Sequence, residues 1–151
     1  MKEMLNRTFY KTVGFYLAIA TILLALVANI VYLSFDGTLL EYKNALATIP
    51  TFVGIVAYFG LVLFKKTDRY AALPLWACVF TSFMMFIAYV YMYFSAVFYN
   101  GISAEALQLI DGKIIISIVF YLLAAIVGNV AIYFKTEAKN KNIDQKMEEH
   151  A

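Results

Sequence analysis

Four stretches without a charged residue constrain the fold of this chain more than any other feature. They cover residues 12–34, 44–64, 70–104 and 114–134. A helix needs about 20 mostly apolar residues to cross the hydrocarbon core of a bilayer, so each stretch is a candidate span. Soluble helices average about 11–12 residues and keep a polar face, which none of these stretches has. The sequence therefore predicts an all-α membrane protein with four transmembrane helices.

The residues that flank these stretches indicate a single four-span domain. We expect spans at about residues 13–35, 47–64, 72–99 and 114–134, and a polar cytoplasmic tail over 135–151. The first apolar stretch exceeds the roughly 7–15 residues of a signal-peptide core, so we expect it to remain as a span.

The positive charges predict the orientation in the membrane. Ten of the twelve Lys and Arg residues lie before the first span, between the second and third spans, or after the fourth. The other two, Lys43 and Lys113, lie in the two remaining loops. Because short cytoplasmic loops are enriched in Lys and Arg, we expect a multi-pass protein of the cell membrane with both termini cytoplasmic.

The third uncharged stretch is longer than a bilayer requires. Its 35 residues would form a helix of about 52 Å at 1.5 Å per residue, against a hydrocarbon core of about 30 Å. Asn100-Gly101 is a plausible helix stop. Beyond it, Ser103 can cap a short helix that ends near Leu109. We therefore expect a short interfacial helix in the second outer loop.

No stretch of the sequence carries a chemical signature. The only histidine is His150 and the only cysteine is Cys78, whereas metal sites and thiol relays need several such residues. No charged residue falls at mid-span, where proton relays and substrate sites are usually found. We therefore expect no catalytic residue, no metal, no cofactor and no nucleic-acid partner.

Small residues recur in all four spans at spacings suited to helix packing. Small side chains let membrane helices approach closely. The predicted packing residues are Gly14, Ala18, Thr21, Ala25 and Ala28 in the first span, Gly54 and Ala57 in the second, Thr81 and Ala88 in the third, and Ser117, Ala124 and Gly128 in the fourth. We place the aromatic side of the third span away from these contacts and expect it to tolerate a change such as Phe86→Leu.

Two asparagines are the strongest polar groups within the spans. Asn29 lies toward the outer end of the first span and Asn129 toward the inner end of the fourth. Because they lie at different depths, we do not expect them to bond to each other. Each amide should find a partner chain, a backbone carbonyl or water.

Aromatic residues crowd the end of the third span. Six lie within eleven positions, namely Tyr89, Tyr91, Tyr93, Phe94, Phe98 and Tyr99. Because tyrosine is amphipathic and enriched at binding surfaces, we expect this end to dock a partner.

These features favour a non-catalytic membrane subunit or scaffold that docks a larger membrane protein. One alternative is a small homo-oligomeric channel or transporter with its pathway between protomers. A second alternative is a membrane-embedded, lipid-handling enzyme that uses loop carboxylates. The expected partners are the lipid bilayer and either another membrane protein or a second copy of this chain.

Overall fold

The structure is a computed structural model that describes residues 9–34, 44–64, 67, 70–99 and 110–134. These residues form four α-helices, α1 (Val13–Leu33), α2 (Ile49–Val62), α3 (Ala72–Phe98) and α4 (Gly112–Tyr133). Short 3-10 turns precede α1 and α2, at Phe9–Lys11 and Ala45–Thr48. With its 3-10 turn α2 covers 18 residues, and all four helices are long and apolar enough to cross a membrane. This confirms the predicted all-helical fold with four candidate spans.

Side-chain caps define where the helices begin. Thr12 caps α1, since its hydroxyl accepts a hydrogen bond from the Phe15 N–H at 3.4 Å. Asp111 caps α4, since its carboxylate accepts from the Lys113 N–H at 2.9 Å. That cap starts α4 at Gly112, two residues before the predicted boundary. Pro50 lies in the first turn of α2, where its missing N–H leaves no helical bond unmade.

Some predicted segments lie outside the described residues. They are the first eight residues, the predicted interfacial helix from Ser103 to Leu109 and the polar tail over 135–151.

The spatial order of the helices differs from their order along the chain. α4 packs extensively against both α1 and α3, and α2 packs mainly against α3. α1 and α2 touch only slightly, although they are consecutive. α4 and α3 therefore form the middle of the bundle, with α1 beside α4 and α2 beside α3. The outward faces are mostly apolar, with exposed side chains such as Leu23, Val56 and Ile126, as suits contact with lipid tails.

Small residues form the contact between α1 and α4. All five predicted packing residues of α1 are buried, as are Ser117, Ala124 and Gly128 of α4. A Cβ atom added at Gly128 would lie 3.0 Å from Cγ2 of Thr21. The hydroxyl of Ser117 lies 3.5 Å from the Ala28 carbonyl oxygen. These distances show that the two helix backbones approach closely.

The packed face of α3 is built differently. Its buried residues follow a helical stripe through Leu75, Val79, Ser82, Phe86, Val90 and Tyr93. Thr81 and Ala88 are exposed, so they do not belong to the face that α3 presents to α2 and α4. On α2, Gly54 is buried and Ala57 is half-buried. Neighbouring side chains in a helix point about 100° apart. Ser82 therefore faces into the bundle while Thr81 faces outward.

Phe86 corrects one expectation about the aromatic side of α3. Its side chain is fully buried and meets the Tyr32 ring edge-on, with the ring centroids 5.1 Å apart. The Phe86 ring also packs against the Tyr121 ring, with the ring centroids 5.2 Å apart. The placement of Phe86 away from the packing contacts was wrong, and Phe86→Leu would leave a cavity that destabilises the fold.

Two glycines of α2 provide a matched test of helix packing. A Cβ added at Gly54 would lie 2.6 Å from Cβ of Cys78, whereas one added at Gly60 would meet nothing within 4 Å. We expect Gly54→Ala to lower the thermal unfolding midpoint in detergent, since overpacking costs about 1–3 kcal/mol. Gly60→Ala should match or exceed the parent protein, because alanine favours a helix over glycine by about 0.5–1 kcal/mol. Equal midpoints for the two variants would contradict the packing of α2 on α3.

Candidate functional site

The two intramembrane asparagines occupy different environments. Asn29 is buried on α1, and its side-chain oxygen accepts a hydrogen bond from the Tyr121 hydroxyl of α4. The amide nitrogen of Asn29 has no partner among the described residues. Asn129 lies on the exposed face of α4. The first amide therefore ties α1 to α4, while the second points away from the bundle.

Thr51 and Ser82 form a buried polar contact between α2 and α3. The Thr51 N–H donates to the Ser82 hydroxyl oxygen at 2.9 Å, and the two hydroxyl oxygens lie 2.8 Å apart. Both side chains are fully buried. Thr51 follows Pro50 in the first turn of α2, where N–H groups have no partner in their own helix. This contact was not among the predicted sites, although a threonine directly after a helix-initial proline is a usable signal for it.

Asn44 joins three segments at one end of the bundle. Its backbone N–H donates to the hydroxyl oxygen of Tyr32 at 2.9 Å, and the Tyr32 hydroxyl lies 3.3 Å from the Asn44 carbonyl oxygen. The Asn44 amide nitrogen donates to the hydroxyl of Tyr89 at 2.9 Å. The end of α1, the 3-10 turn before α2 and the second half of α3 are thereby connected.

The two charged groups at the start of α4 also have structural partners. Lys113 donates from its ammonium nitrogen to the Ser34 carbonyl oxygen at 2.7 Å, which holds the end of α1 against α4. Asp111 caps α4, and its backbone N–H donates to the Tyr93 hydroxyl at 3.4 Å. A cation at the carbonyl end of a helix is favourable because the helix dipole is negative there.

The six candidate docking residues separate into buried and exposed groups. Tyr93 is only 4% exposed, and Tyr89, Phe94 and Phe98 are half-buried. Phe94 and Phe98 stack, with the ring centroids 6.2 Å apart. Tyr91 and Tyr99 are 72% and 87% exposed. These two tyrosines are therefore the accessible members of the set.

α3 extends past the start of α4. Because the Tyr93 hydroxyl contacts the N–H of Asp111, this tyrosine marks the level on α3 at which α4 begins. α3 continues to Phe98, five residues further, or about 7.5 Å at 1.5 Å per residue. The stacked Phe94 and Phe98, together with the exposed Tyr99, form this extension.

The described residues contain no group of three or more His, Cys, Asp or Glu side chains that could hold a metal ion. Cys78 is half-buried and lies where α3 meets Gly54 of α2. We assign it to helix packing.

The fold and these contacts define an all-helical bundle with four candidate membrane spans, in which polar side chains bond from one helix to the next. No protein-family model, no curated protein and no solved structure matches the chain.

The neighbours Thr81 and Ser82 provide a test of the buried polar contact. We expect Ser82→Ala to destabilise the protein by about 1–3 kcal/mol, because two Thr51 donors lose their buried acceptor. Thr81→Ala should change stability little, since the Thr81 hydroxyl is exposed and bonds only the Ala77 carbonyl of its own helix. Thermal unfolding in detergent measures both effects. If the two variants unfolded at the same temperature, the Thr51–Ser82 contact would have no energetic role.

Proposed function

We propose that this protein is a non-catalytic integral membrane subunit or scaffold that docks another membrane protein. The observation that carries the proposal is the aromatic end of α3. This end, from Tyr89 to Tyr99, carries two exposed tyrosines, Tyr91 at 72% and Tyr99 at 87%, and its last residues extend past the start of α4. An exposed tyrosine offers a large rigid ring and a hydroxyl that can find a polar partner, which suits a binding surface.

The use of the polar side chains supports association over catalysis. Asp111 and Lys113 cap a helix and bind a helix terminus, and Thr51 is bonded to Ser82. A catalytic acid, base or nucleophile must be available to a substrate, whereas these groups stabilise the bundle.

We further propose that the aromatic end of α3 faces the outside of the cell, with both termini cytoplasmic and a short interfacial helix after α3. The support is the distribution of positive charge. Three of the five residues from Lys65 to Arg69 are Lys or Arg, and this segment precedes α3 at the end opposite Tyr99. Positive loops stay on the cytoplasmic side.

The two ends of α3 test this orientation. Tyr99 and Tyr70 are both well exposed and flank the helix at opposite ends. In a Cys78→Ala background, Tyr99→Cys should react with a membrane-impermeant thiol reagent applied to intact cells. Tyr70→Cys should react only after the membrane is permeabilised. Labelling of Tyr70→Cys alone in intact cells would reverse the proposed orientation.

Four exposed tyrosines test the docking surface. We expect Tyr91→Ala with Tyr99→Ala to reduce recovery of a co-purifying membrane protein in mild detergent at least fivefold. The matched control is Tyr70→Ala with Tyr133→Ala, which removes two tyrosines that are 61% and 81% exposed at the other end of the bundle. The control should recover the partner at the parent level. Quantitative mass spectrometry of the purified complex measures the stoichiometry.

Flux and lipid-binding measurements on the purified protein separate the proposal from its alternatives. Proteoliposomes that contain only the purified protein should show no ion or solute flux. Robust flux would favour a homo-oligomeric channel or transporter. A protein that purifies alone with a bound lipid, unaffected by the tyrosine substitutions, would favour a lipid-handling enzyme.

A further inference from the structure

The outward face of α4 carries one strongly polar side chain. Asn129 is exposed on this helix, and it makes no side-chain hydrogen bond within the part of the chain that the structure describes. The exposed residues around it are apolar, such as Leu122, Ile126 and Val130. Thr81, an exposed polar residue of α3, differs because its hydroxyl bonds the Ala77 carbonyl one turn earlier at 2.8 Å. The corresponding carbonyl for Asn129, one turn earlier in α4, belongs to Ala125. That carbonyl oxygen already accepts a hydrogen bond from the Trp76 indole at 3.2 Å.

Asn129 lies about one turn before the C-terminal end of α4. The helix has 22 residues, or about 33 Å at 1.5 Å per residue, which is close to a hydrocarbon thickness of about 30 Å. Asn129 precedes the last helical residue, Tyr133, by four positions, or about 6 Å. The amide therefore lies within the apolar layer when α4 spans it. An amide that leaves water without a hydrogen-bond partner is unfavourable, so a partner at this position stabilises it.

The exposed residues of α4 include a stripe with the spacing of a coiled-coil seam. Its members, separated by four, three, four, three and four positions, are Ile115, Val119, Leu122, Ile126, Asn129 and Tyr133. A repeat of 3.5 residues keeps one seam facing a second helix as the two wind around each other. A single asparagine in such a seam sets the register and the number of helices.

We propose that two copies of this chain associate in parallel through the outward face of α4, with Asn129 facing Asn129 across a two-fold axis. The chemistry of the amide selects this occupant. An amide carries both donors and an acceptor, so two copies related by a two-fold axis can exchange a pair of hydrogen bonds. A second copy also places its Asn129 at the same depth. This self-association uses α4 and does not depend on partner docking through α3.

The dissociation constant of the dimer, compared between the parent protein and Asn129 variants, tests the role of the amide. Copies labelled with donor or acceptor fluorophores are reconstituted at known protein-to-lipid ratios, and energy transfer reports the dissociation constant. Asn129→Leu should raise that constant about sevenfold, because two interhelical hydrogen bonds contribute about 0.6 kcal/mol each and 1.4 kcal/mol corresponds to tenfold. Asn129→Gln should retain association, since glutamine keeps the amide. Thr81→Leu, which removes an exposed polar group from α3, should leave the constant unchanged.

Disulfide crosslinking locates the interface with Asn129 intact. In a Cys78→Ala background, Ile126→Cys should form an intermolecular disulfide under mild oxidation in the membrane. Leu123→Cys, three residues earlier and outside the seam, should crosslink much less. Adding Asn129→Leu to Ile126→Cys should reduce the crosslinked fraction.

Three results would overturn the proposal. They are a monomeric parent protein at high protein-to-lipid ratio, an unchanged dissociation constant in Asn129→Leu, and equal crosslinking at positions 123 and 126. The crosslinking comparison keeps the proposal open to refutation even if Asn129→Leu folds poorly. Retention of the partner complex in the tyrosine variants would overturn only the proposed docking function, and unchanged energy transfer in Asn129→Leu would overturn only this inference.

Discussion

The close approach of α1 and α4 is the contact on which the rest of the bundle depends. Inside lipid, burying apolar surface gains little, so helices associate through close van der Waals contact and interhelical hydrogen bonds. Gly128 lets Thr21 of α1 and Trp76 of α3 reach the backbone of α4, within 3.0 and 3.2 Å of where a Cβ would stand. The same approach brings the Tyr121 hydroxyl to Asn29 and the Ser117 hydroxyl to the Ala28 carbonyl. A larger residue at Gly128 would therefore weaken contacts to two helices.

Polar side chains complete the packing that the small residues permit. Thr51 and Ser82 join α2 to α3, Trp76 joins α3 to α4, and Lys113 joins α4 to the end of α1. The first two contacts satisfy groups within the apolar part of the bundle, where an unpaired polar group is unfavourable. These polar groups are thus used to hold the helices together, and the proposal of partner docking is based instead on the exposed tyrosines of α3.

The two proposed binding surfaces lie on different parts of the molecule. Partner docking would use the extended aromatic end of α3, whereas self-association would use the outward face of α4 around Asn129. A protein with both surfaces could present two copies of the docking end on one assembly. Two linked docking ends would bind a divalent partner more tightly than either end alone, because the second contact becomes intramolecular.

The sequence by itself determined the number of candidate spans and several helix boundaries. The length and uniform apolarity of the four stretches leave few other structures, and Pro50 marks the first turn of α2 because its missing N–H leaves no helical bond unmade. The cap at Asp111 was not predicted, and it starts α4 two residues before the expected boundary. The sequence did not show which side of α3 packs inward. Both sides of a membrane helix are apolar, so polarity does not distinguish the face toward a neighbouring helix from the face toward lipid. Only the tertiary structure decided that Ser82 and Phe86 pack inward while Thr81 and Ala88 face outward. It likewise separated buried Tyr93 from exposed Tyr91, since two positions along a helix turn a side chain by about 200°.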